Sequence, residues 1–416
     1  MTNQTPIQKP VFTGYQKFVI AILAIVQFSV ILDFMVLSPL GAQLMIELAI
    51  TPAQFSWVVS AYAFSAGASG LLAAGFADKF DRKKLLLFFY TGFIIGTTLC
   101  ALAPNYYLLL AARIITGIFG GVMGSISFAI ITDIFKLEVR GRVMGFVQMA
   151  FAASQVLGIP IGLMLANNFG WHSPFWMIVG FSILVAVVIV RYLKPINEHL
   201  NIKSDRNAYD HLKKTISNKP YVRAFMATVL LATGGFMLMP FGSDFAIHNL
   251  GLNADQLPLL YGITGVFSII FGPLVGKFTD KVGKFTMFAF GTGLSMLMVA
   301  IYTNLGITPL WMVILINVIL FIGISSRMIS SSALITAIPE PQDRGAFMSI
   351  NSAIQQISGG LASVLAGLIV VKTETGFLDH YERLGFVVLF SMVITLIMMY
   401  QVYKYAVKKL KEDKPV

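Results

Sequence analysis

Twelve long apolar runs govern what this chain can become. They cover approximately 17–40, 55–77, 85–103, 106–131, 143–166, 174–193, 222–245, 257–276, 285–304, 309–335, 346–371 and 385–405. Each is long enough for a helix, and a bilayer takes about 20 apolar residues to cross. The runs are continuous rather than alternating every second residue, which predicts helices and not the strands of a barrel. Composition agrees: 57% of the 416 residues are hydrophobic and 12% are charged, about half the charge of a soluble domain. So few charges cannot coat a water-facing surface. Soluble folds, disordered chains and disulfide-rich secreted modules are excluded, and the fold class is an all-α membrane protein.

The longest polar connection, 194–220, divides the runs into two sets of six. This predicts a tail (1–16), a six-helix bundle (17–193), the central loop (194–220), a second bundle (221–405) and a tail (406–416). Orientation follows from the basic residues, which favour the cytoplasmic side. With both termini inside, 26 of the 30 Lys and Arg fall in cytoplasmic segments, and Lys372 and Arg383 alone fall outside. Trp57, Trp171, Trp176 and Trp311 lie at the outer ends, where an aromatic belt belongs. The net charge of +11 is therefore explained by topology and not by a nucleic-acid partner. The first run lacks a convincing small-residue cleavage site and is expected to stay as a spanning helix. The single Cys100 excludes an intrachain disulfide and says nothing of compartment.

The two sets repeat each other. Ala74-Gly-Phe-Ala-Asp78-Lys-Phe-Asp81-Arg82-Lys83 follows the second run, and Gly276-Lys-Phe-Thr-Asp280-Lys-Val-Gly283-Lys284 follows the eighth. Arg140-Gly141 opens the fifth run and Arg344-Gly345 the eleventh, at nearly the same offset. Matching order and spacing argue for a six-helix repeat, as in many secondary transporters. Both loops resemble the signature G-x-L-x-D-[RK]-x-G-[RK] of the major facilitator superfamily. The second copy has Phe278 for Leu; the first has Ala74 for the opening Gly and Asp81 for the second. Leu109, Arg113 and Gly117 are similar to the helix 4 motif of proton-coupled members. Gly158-Ile-Pro160-Ile-Gly162 is a weakened form of the antiporter pattern Gly-Pro-x-x-Gly-Gly. Leu32-Asp33 resembles the acidic helix 1 motif of drug:proton antiporters.

The resemblance covers essentially the whole chain. It implies the major facilitator fold, with two pseudo-symmetric six-helix bundles, N-in and C-in, in the cell (inner or plasma) membrane. It also casts Asp78 and Arg82 as residues of a conformational latch, with Asp280 as their counterpart. Physically, an aspartate facing a helix N-terminus gains a charge–dipole contact. Contacts made in one state and broken in the other bias an alternating-access equilibrium. The alternative role for these loops is a topology anchor, which is the better reading for Lys83 and Lys84.

Three charges enter the membrane, where ionisable groups are functional candidates by default: Asp33, Arg113 and Arg327. Asp33 lies seven residues before Leu40 and Arg113 seven after Tyr106, so both sit ~10 Å below the same face at 1.5 Å per residue. They are expected to pair, with Asp33 as the protonatable group and Arg113 tuning it; a fixed structural ion pair is the other reading. Arg327 has no acid level with it, Asp244 being near the outer end of its helix. It is expected to contact an anionic or carbonyl-bearing substrate or to pair with backbone carbonyls. Asn351 and Gln355, four apart, and Gln148 and Gln155, seven apart, each share a helix face, as cavity lining or as helix–helix glue. Pro160 and Pro240 are bend points.

Other chemistries find no support. Gly272-Pro-Leu-Val-Gly276-Lys277-Phe278 has the wrong spacing for a phosphate-binding loop. His172, His199, His211, His248 and His380 fall in loops or tails, so no metal or haem site and no cofactor is expected, and no enzyme grouping appears. The reading is a secondary transporter, expected as a monomer, with protons, a small-molecule substrate and the bilayer as partners. Efflux of small organic molecules or drugs against protons is favoured. The alternative is proton-coupled uptake or facilitated diffusion of a small organic solute, such as an anion recruited by Arg327.

Overall fold

A computed structural model describes residues 12–73, 79–197, 200, 214–340 and 343–412. Among them, twelve helical spans are long and apolar enough to cross a membrane. Spans 1 to 6 are Gly14–Val36, Pro52–Ala73, Arg82–Leu102, Tyr106–Ile134, Arg142–Phe169 and Ser173–Tyr192. Spans 7 to 12 are Lys219–His248, Ala254–Val282, Lys284–Tyr302, Leu310–Ile335, Arg344–Ile369 and Tyr381–Lys408. Side-chain oxygens start several of them: Thr13 caps span 1 with Gln16 in a capping box, Asp81 caps span 3, and Asn105 caps span 4.

Successive spans run in opposite directions, which defines two faces. Arg82 at the start of span 3 meets Asp133 at the end of span 4, 2.9 Å apart. Lys83 Nζ donates to the Val190 carbonyl at the end of span 6, at 2.9 Å. This end carries the basic connections and is called the basic face. The four tryptophans lie towards the other, the tryptophan face. Trp57, Trp176 and Trp311 are exposed there, as a belt predicts, but Trp171 is buried and stacks on His172 at 3.7 Å. That ring packs; it does not anchor.

Five details depart from continuous helices in the apolar runs. The first helix of the chain stops at Val36 because Pro39 removes an N–H and crowds the carbonyl four residues back; a short helix, Gly41–Glu47, follows. Pro160 has the same effect in span 5, where a π-helical turn, Ser154–Gly158, absorbs the lost bond. Pro240 sits in a 3-10 turn, Met239–Phe241, within span 7. Span 8 continues to Val282 and ends only at Gly283, whose φ of +98° needs a glycine, so Lys277 and Asp280 are helical rather than in a following loop. A two-residue hairpin, Val371–Lys372 with Leu378–Asp379, closes the connection after span 11; runs this short carry no sequence signal.

The two six-span halves meet towards the tryptophan face. Ser60 Oγ of span 2 donates to the Gly360 carbonyl of span 11 at 2.8 Å. Ser243 Oγ donates to the Ser38 carbonyl at 3.2 Å, and Asn167 Nδ2 to the Ala254 carbonyl at 3.1 Å. Small residues permit this approach: a Cβ on Gly367 would strike Ser56, and one on Gly360 would strike Phe64. Hydrogen bonds between described residues of the two halves all lie on this side of the seam. Towards the basic face, a Cβ on Gly272 or Gly276 of span 8 would meet nothing within 4 Å.

Candidate functional site

Spans 1 and 4 are joined by one ion pair. Arg113 Nη1 lies 2.6 Å from Asp33 Oδ2, and both side chains are wholly buried. The matched depths read from the two helix ends thus correspond to a contact. The second carboxylate oxygen, Oδ1, accepts from Thr97 Oγ1 of span 3 at 3.2 Å, so both oxygens are occupied. The guanidinium lies over the Tyr62 ring of span 2, 4.7 Å from its centroid, and Tyr62 leans on Phe34 next to the aspartate. Four spans therefore converge on one charge pair. Tyr62 and Thr97 were not anticipated: in sequence they are one more tyrosine and one more threonine in apolar runs.

Glycines make that convergence possible. A Cβ at Gly117 or Gly121 would collide with the span 2 backbone at Tyr62 or Ala66, so span 4 reaches span 2 only without side chains there. The Gly158-x-Pro160-x-Gly162 stretch does related work around Asp33. Gly158 presses on Leu32 and Gly162 on Val36, while Pro160 faces Gly262 of span 8 across the seam. The motif thus touches both neighbours of the acid's turn and the opposite half.

Arg327 of span 10 is buried as well, at 3% exposure, in different company. Its Nη2 would be 3.9 Å from a Cβ on Gly234 of span 7, with Met392 of span 12 alongside. Its Cζ lies 6.0 Å from the Phe288 ring of span 9. Neither Nε nor Nη2 has a hydrogen-bond partner among the described residues, so the backbone-carbonyl pairing is not made.

The remaining candidates scatter. Asn351 accepts from Thr228 Oγ1 at 2.6 Å, which ties span 11 to span 7. Gln355 and Gln155 are half-buried, and Gln148 is exposed. Asp78 lies outside the described residues. Arg82 pairs with Asp133 of its own half, a partner 51 residues away that no local pattern marks. Asp280 is exposed near the basic end of span 8. Asp81, where the signature has glycine, caps span 3 and also accepts from the Ile196 N–H at 2.9 Å, holding the start of the central connection. Asp244, fully buried, binds Lys372 at 2.9 Å and His248 at 2.8 Å. Asp244 and Lys372 both belong to the outer side in the sequence reading, which is the available hint; nothing there marks His248.

Known proteins share this plan. Residues 23–241 and 224–415 match the Major Facilitator Superfamily. The chain is 26% identical over 362 residues to the uncharacterized MFS-type transporter YceJ of Bacillus subtilis, covering 85% of this chain and 90% of that one. It is 24% identical over 340 residues to a probable sugar efflux transporter of Helicobacter pylori, covering 80% and 83%. Among solved structures, a bacterial homologue of the human lysosomal transporter Spinster, inward-facing and unoccupied, superposes with a TM-score of 0.71 at 16% identity, covering 95% of this chain and 97% of that chain. A POT family transporter in complex with 5-aminolevulinic acid gives 0.74 at 15% identity, covering 92% and 96%. Twelve spans in two six-helix halves and a match running through both place this multi-pass membrane transporter: the chain belongs to the Major Facilitator Superfamily.

Proposed function

We propose that the protein is a proton-coupled exporter of small organic molecules, working by alternating access with both termini in the cytoplasm. The observation that carries this reading is the Asp33–Arg113 pair, wholly buried and bridging spans 1 and 4. While the guanidinium is in place the two charges answer each other. Drawing Arg113 aside, as a substrate or a rocking of span 4 would do, leaves a buried charge that is best neutralised by a proton. Proton and substrate are then linked through one residue, and the linkage is reciprocal.

The basic connections support placing the basic face in the cytoplasm. With that orientation, the hydrogen bonds across the seam on the tryptophan side support reading the described conformation as inward-facing. Rocking about the seam would break the Ser60–Gly360 and Ser38–Ser243 contacts and close the basic side. Gly158, Pro160 and Gly162 lie where such rocking is felt, between the turn that holds Asp33 and span 8. In this reading Asp78, Arg82 and Asp280 act at the closing basic side, and Gln148, Gln155, Asn351 and Gln355 line the path between the halves.

Proteoliposomes with an imposed pH gradient test the coupling. With the wild type, substrate flux follows the gradient. Asp33→Asn is expected to abolish gradient-driven accumulation and to leave downhill exchange. Flux of Asp33→Asn that still follows the pH gradient would remove Asp33 from the coupling.

A further inference from the structure

Five charged side chains are buried among the described residues: Asp33, Arg82, Arg113, Asp244 and Arg327. The first four each lie within 3 Å of an opposite charge. Arg327 has none. The sequence explains why. From 219 to 408 the acids are Asp244, Asp255, Asp280, Glu340, Asp343, Glu374, Asp379 and Glu382, and each stands at a span end or in a connection. None reaches the middle of span 10, where Arg327 sits seventeen residues after Leu310. A buried cation without a counter-charge is costly at this depth, and a chain that keeps one has a use for it.

The geometry points to a carboxylate-binding site at Arg327, between spans 7 and 10, for a small ligand with an apolar body. Nε and Nη2, the two nitrogens without partners, lie on one edge of the guanidinium. That edge offers two parallel N–H donors, the fork that grips a carboxylate by both oxygens. On span 7 Gly234 lies against the Nη1–Nη2 end of the guanidinium, where a Cβ would come to 3.9 Å from Nη2 and 4.0 Å from Nη1, and its neighbour Gly235 is exposed; the Nε–Nη2 edge itself is closed to solvent in this conformation. Phe288 and Met392 give the apolar walls. The site itself stands without the exporter reading; only the identification of its ligand as cargo rests on it.

Arg113 does not offer the same site. Its Nε and Nη2 are likewise without partners, but its charge is already met by Asp33. Arg327 has a ring beside it too, Phe288 at 6.0 Å, but no counter-charge among the described residues.

The full-length protein in detergent tests the proposal, with benzoate as the probe exchanged for chloride at constant ionic strength. Benzoate is expected to raise the thermal midpoint of the wild type in a saturable way, and Arg327→Gln to lose that response. Gly234→Asp, which has room for its Cβ and puts a tethered carboxylate beside Nη2, is expected to raise the midpoint without benzoate and to abolish the response. An equal response in wild type and Arg327→Gln, no response in the wild type, or a response to inorganic phosphate but not to benzoate overturns the assignment. Asp33→Asn separates the two readings, because it is expected to lose pH-driven flux and keep the benzoate shift; loss of the shift would move the binding site to Asp33. Labelled benzoate in proteoliposomes identifies the source. Arg327-dependent flux marks cargo and binding without flux marks a resident anion, and both uphold the site.

Discussion

The two halves are built on one plan and treat charge differently. In each, an arginine on the fourth span leans towards the first: Arg113 on Asp33, Arg327 on Gly234. The two are not copies. The offset of 204 residues between Arg140 and Arg344 carries Asp33 onto Met237 and Arg113 onto Asn317, whose side chain bonds within its own helix to the Val313 carbonyl at 3.0 Å. The N-terminal half thus holds a neutralised pair near the tryptophan face, and the C-terminal half a lone cation deeper in its span. A paired charge can be modulated by moving its partner; an unpaired one can be satisfied only from outside. On the proposed reading the difference divides the labour of an exporter, with ion coupling assigned to one half and ligand recognition to the other.

The sharpest way to break this comparison is to remove each arginine in turn. Arg113→Met leaves Asp33 buried without its partner, and breaking a buried pair costs about 3–5 kcal/mol. Arg327→Met removes a charge that no described residue satisfies, so replacing it by an apolar chain is expected to be neutral or stabilising. Unfolding midpoints in detergent, with no added organic anion, read the contrast. Equal losses would mean that Arg327 has a protein partner after all. The double variant Asp33→Asn with Arg113→Met should recover part of the loss, since a pair that acts as a unit is non-additive.

A smaller effect tests whether the halves move as bodies. Ser60→Ala deletes the hydroxyl that bonds Gly360 across the seam. One such bond contributes about 1 kcal/mol, enough to shift a two-state ratio about fivefold towards the state open on the tryptophan face. Labelling of a cysteine introduced near Ser38 reads the shift against a low background, because native Cys100 is buried. Unchanged labelling would mean the seam is held elsewhere.

Much of this is legible in the sequence. Spans and halves follow from the runs and the charge pattern, since backbone satisfaction in hydrocarbon leaves helices as the option. The Asp33–Arg113 pair was legible because depth is countable from each helix end. Lateral neighbours are not countable, so Tyr62 and Thr97 stayed hidden, as did Asp133 beside Arg82. Depth could not place Arg327 either way: it said that no acid was level with it, but not that Gly234 faced it. Two of the prolines were legible as bends: Pro160 follows a π-helical turn and Pro240 lies in a 3-10 turn. Pro39, in an otherwise unbroken apolar run, was not, because whether a proline bends or interrupts depends on the packing that re-satisfies the freed backbone groups. The end of span 8 was placed too early because charged residues resemble a loop, although the terminating signal was Gly283.

The least costly change concerns polar glue, and it returns to the two halves. Each ties its first span to its fifth by one hydroxyl. Ser154 Oγ donates to the Phe28 carbonyl at 3.2 Å in the N-terminal half, and Thr228 Oγ1 to Asn351 Oδ1 at 2.6 Å in the C-terminal half. Interhelical bonds of this kind average about 0.6 kcal/mol in a membrane protein. Thr228→Val keeps the shape and removes the donor, so it should lower the unfolding midpoint slightly, by no more than Ser154→Ala does. If Asn351 only joins helices, flux per folded molecule is unchanged. A flux change without a stability change would put Asn351 in the substrate path, because freeing its amide alters what the space between the halves offers a ligand while leaving the packing of spans 7 and 11 intact.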